Sequence, residues 1–82
     1  MTIRLSADGT IELHGICPLE DAERLQHYLI ADAKAAVDWR SCSGAHTSVI
    51  QILLAVRPVL HGPPDSDFLR DCIAPLLKPV AT

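Results

Sequence analysis

The chain has 82 residues, which predicts one small domain spanning residues 1–82. Its formal net charge is −3 and its seven lysines and arginines are scattered, so it lacks the clustered positive charge that nucleic-acid binding requires. Hydrophobic residues make up 49 % of the chain, yet the longest apolar run covers only residues 49–56. A bilayer span needs roughly 20 apolar residues, so we expect no direct membrane insertion.

The first predicted element is a β-hairpin within the segment TIRLSADGTIELHG. Asp8 and Gly9 separate two runs in which apolar and polar residues alternate, which is typical of two strands joined by a tight turn with one buried face. The apolar positions of the two runs are Ile3, Leu5, Ile11 and Leu13.

The start of the chain also lacks the basic and apolar regions of a signal peptide, which predicts a cytoplasmic protein.

An amphipathic helix is predicted over about residues 18–31. Pro18 suits the first helical position, and Glu20 and Asp21 place negative charge at the amino end of the helix. The segment KAAVDWR then predicts a buried strand that ends near Asp38. Because strand–helix–strand units cross over right-handedly, this strand should run parallel to the second hairpin strand. The apolar stripe of the helix predicted over residues 18–31 contains Leu19, Ala22, Leu25 and Leu29, with Ile30 beside it.

A second helix is predicted over the apolar run at residues 49–56, which is apolar in almost every direction and should be buried on more than one side. It should end at Arg57, because Pro58 cannot continue it. Residues 59–60 can form a short strand, and Asp65 or Ser66 can cap a last helix that Pro75 kinks or ends. The apolar face of that helix is predicted to contain Phe68, Leu69, Cys72, Ile73, Leu76 and Leu77.

These elements predict an α/β fold with a small mixed sheet, made of the hairpin plus one parallel strand, packed by about three helices. The segment VDWRSCSGAHTSVIQILLA resembles the central segment of STAS domains, the family of anti-sigma factor antagonists. In that family a strand ends near an aspartate, and a loop leads to an Asp-Ser-Ser/Ala-Gly-Leu type motif that opens a buried helix. Aligned without gaps, Asp38 matches the end of the strand, His46 the motif aspartate, Thr47 the phosphorylated serine and Ser48 the next small residue.

The resemblance implies a STAS-like domain that acts in bacterial signalling by protein–protein interaction and is not an enzyme. Thr47, and beside it Ser48, would be the candidate phospho-acceptor, and phosphorylation would release a kinase-type anti-sigma partner or another signalling protein. Residues 40–48 would form the docking loop. The implied partner-binding residues are Trp39, Arg40, Ser41, Ser43, His46, Thr47 and Ser48.

Two other functions stay open at this stage. One is an accessory subunit of a transporter, which would use the same surface without phosphorylation. The other is a structural homodimer unit, because an uncovered sheet edge and an apolar excess favour pairing with a second copy.

Each candidate residue also has a structural interpretation. Thr47 or Ser48 can simply cap the helix, and Ser48 with Gln51 has the spacing of a capping box. His46 can be an exposed loop residue, or it can contact a partner or a phosphate as an imidazolium. Trp39 can cover the rim of the core, or it can be an exposed binding hot spot.

The cysteines and histidines do not predict a metal site or a catalytic centre. His14, Cys17, Cys42 and His46 lack the paired spacing of structural zinc sites. Cys42 and His46 lack an evident third group to orient a nucleophile. We therefore expect no metal, no cofactor and three reduced, buried thiols, the third being Cys72.

Overall fold

The computed structural model describes residues 2–77. Its strands are β1 Ile3–Leu5, β2 Ile11–Cys17, β3 Val37–Ala45 and β4 Leu60–His61, which form one sheet in the order β1-β2-β3-β4. β1 and β2 are antiparallel, whereas β2, β3 and β4 are parallel to one another. This architecture confirms the predicted α/β class and its mixed sheet. The helices are α1 Leu19–Ala31, α2 Thr47–Val56 and α3 Ala74–Leu77, the last continuous with a π-helical turn at Leu69–Ile73. None of the helices in the described part is long and apolar enough to cross a membrane.

The predicted hairpin is confirmed by the register of β1 and β2, in which Ile3 lies opposite Leu13. Gly9 has a φ of +89°, a left-handed conformation that favours glycine, and this conformation allows the chain to reverse at the turn. Ile3 and Leu13 are buried, but Leu5 at the end of β1 is half exposed, so the prediction that it lies on the buried face is wrong.

The order of the sheet places the main helices on one face. Both crossovers, from β2 through α1 to β3 and from β3 through α2 to β4, move one strand in the same direction across the sheet. Right-handed crossovers in one direction return to the same side, so α1 and α2 pack side by side. The opposite face carries paired charges, with Arg4 bound to Glu12 and Arg40 bound to Asp38.

The strand β3 is longer than predicted, because it does not end near Asp38 but continues to Ala45. It has nine residues against seven in β2, and the pairing shifts at two irregularities, between Glu12 and His14 and between Gly15 and Ile16 of β2. Most of residues 40–48 therefore form a strand and a helix start rather than the predicted docking loop.

The core lies between the sheet and the helices, and it includes Trp39, which is only 3 % exposed. The interpretation of Trp39 as an exposed hot spot is therefore wrong. In α2 Val49 and Leu53 are fully buried, and Ile50, Ile52 and Leu54 are partly buried against the core, which agrees with the prediction that this helix is buried on more than one side. The predicted stripe of α1 is buried except at its ends, where Leu19 and Ile30 are exposed.

The C-terminal helical segment begins where predicted, with the Leu69 backbone N–H donating to the Ser66 hydroxyl at 3.3 Å. A π-helical turn precedes Pro75, and the Ala74 N–H donates to the Leu69 carbonyl five residues earlier. Proline lacks an N–H and crowds the carbonyl four residues before it, which is compatible with this wider turn. Of the predicted apolar face, Leu69, Ile73 and Leu77 are buried, whereas Phe68, Cys72 and Leu76 are exposed.

Candidate functional site

The candidate site lies where β3 passes into α2. β3 ends at Ala45, His46 has an extended backbone with φ −60° and ψ 148°, and α2 begins at Thr47. The His46 backbone N–H donates to the Cys17 carbonyl at 2.8 Å, which ties this junction to the end of β2. The start of α2 is therefore held at the carboxyl edge of two parallel strands. We call residues 46–48 the α2 tip.

The α2 tip is open to solvent, because His46 and Thr47 are exposed and Ser48 is partly exposed. The first turn of α2 contains no acidic residue. The helix dipole gives this end a partial positive charge, although the backbone N–H groups of Ser48, Val49 and Ile50 already donate to His46. The arrangement therefore combines accessible hydroxyls with a local preference for an anion.

The cap of α2 is His46 rather than a hydroxyl residue. The Ser48 backbone N–H donates to His46 Nδ1 at 3.1 Å. The interpretation of Thr47 or Ser48 as the N-cap, with Gln51 completing a capping box, is therefore wrong. Nδ1 accepts this hydrogen bond through its lone pair. The hydroxyls of Thr47 and Ser48 are thereby left available at the surface.

Replacing His46 with alanine is expected to lower the free energy of unfolding by about 0.5–2 kcal/mol, the usual effect of losing an N-cap. His46→Asn should recover most of this loss, because asparagine is a strong N-cap. Urea unfolding followed by Trp39 fluorescence measures both variants. Equal stability of the wild type and His46→Ala would contradict the capping role.

A groove between α1 and α2 adjoins the tip. Ser48 lines it together with Leu19, which is 54 % exposed, and with the carboxylate-bearing Glu20 and Glu23. Helical periodicity predicts that Leu19 belongs to the buried stripe, because Leu19 and Leu25 fall on the same face of the helix. Leu19 is the first residue of α1, and this terminal position is the signal that separates it from the buried residues of the stripe.

The other predicted binding residues are spread along β3. Ser41 and Ser43 are exposed strand residues. Arg40 is exposed but is bound to Asp38, with its Nη2 2.7 Å from Asp38 Oδ2. This hydrogen-bonded guanidinium lowers the pKa of Asp38 to about 2. The structure therefore groups His46, Thr47 and Ser48 at the tip, leaves Arg40 in an ion pair, and places Trp39 in the core.

The buried thiols of Cys17 and Cys42 lie below the site, with 4.0 Å between their sulfur atoms. The hydrogen-bonded Cys42 thiol and burial raise the pKa of Cys17. The Cys42 thiol also donates to the Gly44 carbonyl at 3.2 Å. Among residues 2–77 no three histidine, cysteine or acidic side chains are grouped as metal ligands. The prediction of buried thiols is wrong for Cys72, which is exposed.

Comparisons with protein-family models, with curated proteins and with solved structures find no significant match to this chain.

Proposed function

We propose that this chain is a regulatory protein-binding module that switches partners in the manner of the STAS domains that its central segment resembles. The observation that carries the proposal is the exposure of Thr47 at the amino end of α2, directly after a parallel strand. A hydroxyl at this position can enter the active site of a kinase without any element unfolding. The proposed setting is bacterial signalling in the cytoplasm, with no catalytic step and no cofactor of its own.

The unmodified tip supplies the docking surface. Leu19 is an exposed apolar side chain at one end of the groove, and Ser48 lines the same groove. Protein interfaces depend on a few apolar anchors surrounded by polar groups, and this combination fits that description. The partner that we propose is a kinase-type anti-sigma protein or another signalling protein.

Phosphorylation of Thr47 would change the charge of this surface rather than its fold. A phosphate adds about −1.5 to −2 charges, and the amino end of a helix stabilises an anion. α2 therefore stays folded. Glu20 and Glu23 already line the adjoining groove, so the added charge increases an existing negative potential. A docked partner would have to desolvate the phosphate or face like charge, and either effect weakens binding.

We expect Thr47→Glu to reduce binding of the switched partner by about tenfold or more, which corresponds to about 1.4 kcal/mol. Thr47→Ala should retain binding and should lose the phosphorylated peptide seen in the wild type. Tagged wild-type chain and both variants would be purified from the cells that produce the protein, and bound proteins and phosphopeptides quantified by mass spectrometry. Ala33→Glu is the matched control, because it adds one negative charge at an exposed position before β3.

The expected partner is an ATPase that is retained by the wild type, Thr47→Ala and Ala33→Glu, and is lost with Thr47→Glu. Partner switching would be refuted if Thr47→Ala and Thr47→Glu bound every co-purified protein equally and if the wild-type chain carried no phosphate on Thr47. Retention of a membrane transporter under those conditions would favour the accessory-subunit alternative.

A further inference from the structure

A cavity of about 650 Å³ lies at the β4 edge of the sheet, at the opposite end of α2 from the tip. The segment from α2 to β4 forms one side and the C-terminal helical segment forms another. Trp39 of β3 contributes a wall. Cavities of this size lie in the range that holds small organic molecules.

The lining of the cavity is apolar except for two cations. Its walls include Pro58, Leu60 and Leu77, together with the Trp39 ring. None of the described lining residues is acidic, although the whole chain has a net charge of −3. The two polar side chains are both arginines, so a ligand here would meet an apolar surface and positive charge.

The two arginines differ in how their charge is balanced. Arg70 is bound to two carboxylates, with its Nη2 2.6 Å from Asp67 Oδ1 and its Nε 3.3 Å from Asp71 Oδ1. The Arg57 Nη1 donates to the Leu76 backbone carbonyl at 3.1 Å, and within residues 2–77 it has no acidic partner. Among the described residues, Arg57 is therefore a positive charge beside the apolar walls that no carboxylate neutralises.

Two irregular stretches of backbone border the same cavity. Arg57 has a φ of +52°, the left-handed conformation that residues with a β-carbon adopt rarely. Arg70 lies in the π-helical turn, and Ala74, which follows that turn, also lines the cavity. The left-handed conformation is that of a helix C-cap, in which the Arg57 backbone N–H donates to the Leu53 carbonyl at 2.8 Å, and it fixes Arg57 at the end of α2 beside the cavity.

We propose that this cavity binds an amphiphilic carboxylate, meaning a molecule with an apolar chain or ring and a single carboxylate. The apolar part packs against Trp39 and Pro58, and the carboxylate binds the Arg57 guanidinium. One carboxylate matches the single charge of Arg57, which has no acidic partner within residues 2–77, and its planar geometry fits the arginine fork. The proposal is independent of partner switching, because Arg57 and Thr47 lie at opposite ends of a ten-residue helix, about 15 Å apart along its axis.

Titration of the full chain with decanoate, monitored by fluorescence, tests the proposal. Trp39 is the only tryptophan and lines the cavity, so a ligand that enters should change its emission. We expect saturable binding of decanoate below its micelle concentration. Decan-1-ol, which has the same chain length without the charge, should bind at least about tenfold more weakly. Acetate, which has the charge without the chain, should produce no change.

Variants then separate the charged contact from the apolar one. Arg57→Gln should weaken decanoate binding by about tenfold or more and leave decan-1-ol binding unchanged. Arg40→Gln, on the opposite face of the sheet, is the matched control and should change neither. Ala74→Phe should fill the cavity and reduce binding of both ligands. Circular dichroism verifies that each variant is folded.

Absence of saturable decanoate binding to the wild-type chain would overturn the proposal. Equal affinities for decanoate and decan-1-ol would overturn it as well, and this comparison requires no variant to fold. An unchanged decanoate affinity in folded Arg57→Gln would show that the carboxylate does not bind Arg57, which also contradicts the proposal.

Discussion

Replacing Trp39 with alanine is expected to lower the free energy of unfolding by about 3–5 kcal/mol, the usual cost of removing a buried tryptophan side chain. Trp39 is 3 % exposed and belongs to the apolar core between the sheet and the helices. Small domains have total stabilities near the low end of about 5–15 kcal/mol, so this loss can leave much of the chain unfolded in water. Urea unfolding followed by far-ultraviolet circular dichroism measures the change.

Two further variants serve as controls for the effect of Trp39→Ala on stability. Trp39→Phe keeps an aromatic ring in the core and should cost less than Trp39→Ala. Arg40→Ala, at the exposed neighbouring position, should change stability by no more than about 1 kcal/mol, because it removes only a surface ion pair with Asp38. If Trp39→Ala were as stable as the wild type, the side chain would have to lie at the surface, where a partner-binding residue is expected.

Replacing Gly62 with alanine is expected to cost about 1–3 kcal/mol, the usual penalty for overfilling a packed site. A β-carbon at Gly62 would clash with Trp39 Nε1 and would lie 3.0 Å from Trp39 Cδ1, which is a tight contact. The Trp39 ring is held in the core, so either the ring or the segment that carries Gly62 must move. The free energy of unfolding and the wavelength of Trp39 emission should both change.

Gly44→Ala provides the matched control for this glycine substitution. A β-carbon at Gly44 would lie 3.6 Å from the nearest atom of the Ile16 side chain, an ordinary van der Waals contact. We expect Gly44→Ala to change the free energy of unfolding by no more than about 0.5 kcal/mol. Any loss in the folded state is partly offset because alanine has less conformational freedom than glycine in the unfolded chain.

In a Trp39→Phe background the cost of Gly62→Ala should fall, because the clashing Nε1 atom is gone. If Gly62→Ala lowered the free energy of unfolding equally in both backgrounds, the contact with Trp39 Nε1 would not be the cause of the destabilisation.

The elements with strong periodicity were predictable from sequence. Alternation defined the hairpin, helical spacing defined α1, and the crossover rule gave the parallel pairing of β2 and β3. The start of the C-terminal helical segment followed from the capping preference of Ser66. In each of these cases the local preference agrees with the tertiary packing.

The second half of β3 was not predictable because the alternation of buried and exposed residues is interrupted in this strand. Arg40 and Ser41 are both exposed, which interrupts alternation next to the first irregularity in pairing. One face of the sheet is uncovered, so polar residues such as Ser43 are compatible with a strand at positions where a buried strand would be apolar. A polar segment with small residues was therefore interpreted as a loop.

The exposure of the α2 tip was predictable from the sequence, but its cap and its neighbouring groove were not. Exposure of Thr47 follows from its place just before an apolar helix, and the structure agrees. Capping by His46 was missed because histidine is not among the preferred N-cap residues. The exposure of Leu19 was missed because periodicity identifies the face of a helix but not which residues at the end of that face are covered.

The unequal burial of the three cysteines gives the chain a selective attachment point. Cys17 and Cys42 are enclosed in the core, whereas Cys72 is exposed in the same π-helical turn as Arg70. A maleimide dye added to the folded chain should therefore react at one position, on the C-terminal helical segment rather than at the α2 tip. Such a label would follow the environment of this segment independently of the emission of Trp39.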